Sequence, residues 1–122
     1  WEAVGLFELN PQLAIIAGRV VNCAGVVRGG GEVRNASGDF HCPELGYDAD
    51  DLGPFSIWLK PRCIDAVDPR FFFARTSFLN LAAQEFSGIE YQQLGYWLGE
   101  FAESQNSRIA TSPLINALER TV

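Results

Sequence analysis

The nine residues Leu13-Ala14-Ile15-Ile16-Ala17-Gly18-Arg19-Val20-Val21 constrain this fold more than any other stretch of the chain. Successive side chains of an extended segment point to opposite sides. Here both alternating sets are apolar, with Arg19 the exception. A strand with one wet face would alternate apolar and polar residues. The run therefore predicts an interior strand covered on two sides. Arg19 then belongs at a strand end or beside a carboxylate partner. The 122 residues suffice for such a core. A chain of this size forms about one domain and buries about two-thirds of its unfolded surface. Residues 1–122 are read as a single domain.

Around this strand the chain divides into a strand-like front and a helical back. Val4 to Leu9 is short and apolar, and Asn10-Pro11 marks a turn after it. Gly29-Gly30-Gly31 and Asn35-Ala36-Ser37-Gly38 read as a flexible loop or hairpin tip. No Lys-Ser/Thr pair follows the glycines, so they do not form a phosphate loop. Phe55 to Lys60 alternates between Pro54 and Pro61, as a strand does. Phe71 to Phe78 reads as a further strand after the Asp68-Pro69-Arg70 turn. Leu81 to Phe86 reads as a short helix. Ser87-Gly88-Ile89-Glu90 matches a capping box, and the helix after it runs to about Ser104. Tyr91, Leu94, Leu98 and Phe101 share one face of that helix. Gly95 and Gly99 lie one turn apart, a small-residue track that permits close packing on the sheet or on a second copy. Ser112-Pro113 reads as the start of a last helix. The expected class is α+β: an antiparallel sheet of about four to five strands with C-terminal helices on one face.

Charge excludes several functions. Nine basic residues against fifteen acidic ones give a net charge of −6. Nucleic-acid binding by counterion release needs a basic surface. No apolar run approaches the roughly 20 residues that cross a bilayer. Cys23, Cys42 and Cys63 are too few and too odd for a disulfide framework, and free thiols fit a reducing cytoplasm.

Catalytic and metal patterns are thin. His41 is the sole histidine. Its neighbour Cys42 would point to the opposite face of a strand, so His41 does not activate it. A Cys-His-Asp set built from His41, Asp39 and Cys23 or Cys63 lacks any local signature. Cys23, His41, Cys42 and Cys63 lack the close ligand pairs of a zinc site. No metal and no cofactor are expected.

The loop Glu44-Leu45-Gly46-Tyr47-Asp48-Ala49-Asp50-Asp51-Leu52-Gly53 is the acidic centre. Asp48, Asp50 and Gly53 fit an EF-hand loop, but Leu52 and Leu59 stand where ligands are needed. The loop reads instead as an anionic docking patch for a basic protein partner, with Glu44, Tyr47, Asp48, Asp50, Asp51 and Asp65 as contact residues. Two other readings are open. One is a small-molecule-binding protein or enzyme, its apolar pocket lined by Trp58, Phe71, Phe73 and Trp97 near His41. The other is a homo-oligomer joined through the Gly95/Gly99 helix face.

Three stretches carry a family resemblance. They are Pro43-Glu44-Leu45, Phe55-Ser56-Ile57-Trp58-Leu59-Lys60 and Phe71-Phe72-Phe73-Ala74-Arg75-Thr76-Ser77-Phe78-Leu79. Together they resemble part of some immunity proteins of polymorphic-toxin and contact-dependent growth inhibition systems. The Cys-Thr-Pro pattern common in the second of those strands stands here as Ala74-Arg75-Thr76-Ser77. The resemblance implies a bacterial, non-catalytic protein that sets an acidic face against a basic toxin.

Overall fold

The computed structural model describes residues 2–43, 45–47, 62–86, 88 and 90–118. In chain order they form α1 (Glu2–Leu9), β1 (Leu13–Val21), β2 (Val27–Gly29), β3 (Val33–Arg34), β4 (Phe40–His41), β5 (Arg62–Cys63), β6 (Phe72–Ala74), α2 (Thr76–Glu85), α3 (Tyr91–Ser104) and β7 (Arg108–Leu118). The class is α+β, with a five-stranded main sheet and a separate β3–β4 pair. The expected strand Phe55–Lys60 lies outside the described residues.

β1 is the interior strand that its two apolar faces require. One edge pairs antiparallel with β6 through Ile15, Ile16 and Ala17, and with β2 through Val20 and Val21. The other edge pairs with β7. Ala14, Ile15 and Ala17 pack with Phe78 and Ala82 of α2 and with Leu98 and Ala102 of α3. Leu13 and Ile16 pack on a second cluster with Ala3, Ala110 and Ile115, flanked by Leu6 and Phe7. Helices thus cover the sheet on both sides. Burying a side chain such as Ile15 or Ile16 contributes about 2 kcal/mol.

Four expectations change. Val4 to Leu9 belongs to a helix, because Ala3, Leu6 and Phe7 recur at helical spacing and meet the sheet together. Gly29, Gly30 and Gly31 are buried and are not the hairpin tip, which is the exposed Asn35–Asp39. The Phe71–Phe78 strand is only Phe72–Ala74, and α2 begins at Thr76 with Phe78 and Ala82 on its buried face. Ser112-Pro113 opens no helix: it lies inside β7, which runs parallel to β1 in an otherwise antiparallel main sheet. Proline is tolerated there because the register breaks. Ala17 opposes Thr111 while Arg19 opposes Asn116, so residues 112–115 stand against Gly18 alone.

α3 begins at Tyr91 with Glu90 as its N-cap residue and no side-chain cap bond. Ser87 and Ile89 of the expected capping box lie outside the described residues. The Gly95/Gly99 track is filled by the chain itself. A Cβ on Gly95 would overlap the Val67 carbonyl oxygen, and one on Gly99 would overlap that of Asp65. That face of α3 receives the 65–67 backbone and has no room for a second copy.

Candidate functional site

The strip 64–68 that lies along α3 also builds a cleft. Its other side is tied to residues 30–32. The Glu32 amide donates to the Ala66 carbonyl at 2.9 Å, and the Asp65 and Ala66 amides donate to the Glu32 carbonyl at 2.8 and 3.1 Å. The Asp68 amide donates to the Gly30 carbonyl at 3.1 Å. β4 reaches the same region because His41 pairs with Val33. The Phe40 ring then meets Tyr96 of α3, with ring centroids 4.5 Å apart. Between these elements opens a cleft of about 550 Å³, bordered by Arg28, Glu32, His41, Asp68, Tyr91 and Tyr96.

Its charges are not equally engaged. The Arg70 guanidinium grips Asp68 with Nη2 at 2.7 Å and Nε at 3.1 Å from both carboxylate oxygens. Asp68 also accepts the Arg70 amide at 3.0 Å, the turn role its position before Pro69 implies. Glu32 is half-buried, and among the described residues no hydrogen bond or ion pair satisfies its carboxylate. Burial pushes its pKa above the ordinary carboxylate value; the Asp68 charge adds to the rise and His41 opposes it. The Tyr96 phenol is also raised, by burial first and by the Glu32 charge second. The site therefore holds an incompletely compensated carboxylate, on an anchored backbone, in a cleft lined also by an imidazole and aromatic rings.

The residues expected from sequence are scattered. Glu44, Asp48, Asp50, Asp51 and Trp58 lie outside the described residues. Tyr47 is exposed, and its carbonyl accepts the Val27 amide at 2.8 Å, which pins this end of the acidic loop to β2. Leu45 borders the cleft itself. Asp65 turns elsewhere: its carboxylate accepts the Arg34 amide at 2.8 Å, and it borders a separate cavity with Arg34 and Glu100. Of the expected apolar pocket, Phe71 and Phe73 meet edge to face with ring centroids 5.5 Å apart, but Trp97 lies elsewhere. Trp97 stacks on Phe101 at 5.1 Å on the α2/α3 side, whereas Phe71 packs on the α1 side and Phe73 is exposed. Among the described residues of that set, only His41 borders the cleft.

The three thiols are unbridged: Cys23 and Cys63 are exposed and Cys42 is half-buried. Cys42 and Cys63 border a small cavity of about 20 Å³ beside buried Arg19. Among the described residues no three His, Cys, Asp or Glu side chains gather as metal ligands. Among those residues no helix is long and apolar enough to cross a membrane.

Sequence reading missed Glu32, Tyr91 and Tyr96 as a site. Glu32 stands alone after a glycine run, and of its neighbours in space His41 comes from the next hairpin while Ala66, Asp68 and Tyr96 come from segments more than thirty residues away. Comparison with family models, with curated proteins and with solved structures finds no match for this chain. Fold and cleft alone define it, as a small α+β protein whose open, aromatic-walled cleft is bordered by Glu32 and by the Arg70-paired Asp68.

Proposed function

We propose that this protein is a non-catalytic binding module that docks on a basic protein. The observation that carries this reading is the cleft at Glu32, which opens beside the anchored start of the acidic loop. A net charge of −6 favours a basic partner and speeds encounter with it. Tyr47 stands exposed two residues beyond Leu45, which borders the cleft, and Tyr is common among interface hot spots. The most specific form of this reading is a bacterial immunity protein that neutralises a toxin. Three unbridged cysteines fit a reducing compartment such as the cytoplasm.

The test immobilises the protein and captures partners from extracts of its native host across a salt series. Replacing Asp48, Asp50 and Asp51 by Asn should weaken capture and flatten its salt dependence. Unchanged capture and unchanged salt dependence overturn the reading.

A second reading, a binding site for a small polar molecule, is favoured by the size of the cleft. About 550 Å³ lies within the usual range of ligand pockets. Saturable chemical-shift changes at the cleft with an uncharged fragment library would support it.

A further inference from the structure

We propose that the Glu32 cleft is a socket for an arginine side chain of the protein partner; this deepens the docking reading and rests on it. A guanidinium pairs with a carboxylate through a planar fork and lies flat on aromatic rings. It is also less strongly hydrated than an ammonium group, which suits a half-buried site. The cleft offers both surfaces: the Glu32 carboxylate, and the Phe40, Tyr91 and Tyr96 rings around it.

The chain's own arginines show the same two contacts nearby. Arg70 grips Asp68, and the Arg34 guanidinium lies 4.8 Å from the centre of the Phe40 ring. Asp68 and Arg70 cancel each other's charge. Arg28 stands exposed at the rim. The uncompensated charge inside is that of Glu32. Its backbone amide and carbonyl are both bonded to residues 65 and 66, so the stem from which the carboxylate reaches into the cleft is held in place. A bound guanidinium would supply the hydrogen bonds that Glu32 lacks.

The test titrates the intact protein with N-acetyl-arginine amide and follows backbone amide shifts by NMR. N-acetyl-citrulline amide is the neutral isostere and N-acetyl-lysine amide the point-charge control. Saturable shifts at residues 30–32, 41, 66–68 and 91–96 are expected with arginine, and binding about tenfold or more weaker with either control. Glu32→Gln should lose about tenfold in arginine affinity while its spectrum stays dispersed. Absence of saturable shifts with arginine overturns the socket. So does an equal response to citrulline or lysine, or an unchanged affinity in Glu32→Gln. The two proposals fail separately. Capture left unchanged by the Asp48, Asp50 and Asp51 replacements, with arginine binding intact, removes the docking reading and leaves the cleft as a site for arginine. Capture weakened by those replacements, with no response at the cleft, removes the socket alone.

Discussion

The Val67 carbonyl oxygen lies directly against the Cα of Gly95, inside the space a Cβ would need, while the Val67 amide points to the Gly95 carbonyl at 3.5 Å. Gly99 meets the Asp65 carbonyl in the same way one turn later. Two glycines thus let a loop backbone lie on a helix backbone, and that loop carries Asp68 and braces Glu32.

Alanine at either glycine tests this contact. Helix propensity alone would favour Gly→Ala by about 1 kcal/mol. The obstacle here is backbone, which cannot swing aside, and overpacking of this kind costs typically about 1–3 kcal/mol. Gly95→Ala and Gly99→Ala should each lower stability in urea unfolding. Gly5→Ala, where nothing lies within 4 Å, should not. Stabilisation by either α3 variant would contradict the packing.

The close approach along α3 was legible from the Gly95/Gly99 spacing, and β1 from its two apolar faces. α3 itself was legible because Leu94, Leu98 and Phe101 repeat at helical spacing. β7 was hidden by Ser112-Pro113, a helix-start signal that a register break made harmless in a strand. α1 was hidden because a short apolar run reads equally well at either period. Local pattern places elements but not their partners. Glu32 meets Ala66, Asp68 and Tyr96 only through tertiary pairing, so the cleft left no mark in the sequence.

Arg75 ties three elements together. Its Nε donates to the Leu13 carbonyl at 2.6 Å, and its Nη2 donates to the carbonyls of Phe7 and of Asn10, the latter at 3.1 Å. The guanidinium also lies 5.0 Å from the Phe7 ring centre. Arg75→Met keeps much of the apolar stem but removes the side-chain donor to these carbonyls, of which that of Asn10 still accepts the Leu13 amide at 3.0 Å. It should cost about 2 kcal/mol in chemical unfolding and speed amide exchange in α1. Arg75→Lys should recover only part, because one ammonium cannot reproduce the fork. Full recovery by Lys would show that charge alone matters.

The raised pKa of Glu32 gives a pH signature. Folding favours its protonated form, so its contribution to stability is fully present below the unfolded value near 4.5. That contribution is lost as pH rises through the higher folded value. Glu32→Gln cannot ionise and escapes the loss. Its melting temperature should exceed that of the wild type at neutral pH, and the gap should close as pH falls towards 4.5. His41, Asp68 and Tyr96 face the same carboxylate, so the comparison is best repeated in Asp68→Asn, where the gap should shrink. A gap that does not change with pH would assign the stabilisation to something other than ionisation.

Gly18 opposes the break in β7, and its missing side chain leaves room for two others. A Cβ there would overlap the Phe71 ring and stand 2.8 Å from Cγ2 of Ile115. Gly18→Ala should therefore cost about 1–3 kcal/mol. Phe71 is half-buried and its ring can be shortened, whereas the backbone that positions Ile115 is fixed by pairing of β7 with β1. Phe71→Leu removes the ring edge that the new methyl would strike. The double variant Gly18→Ala/Phe71→Leu should then be more stable than the two single costs combined predict, by about 0.5 kcal/mol or more. Simple additivity in urea unfolding would mean that the methyl finds its room by a shift of β7 rather than of Phe71.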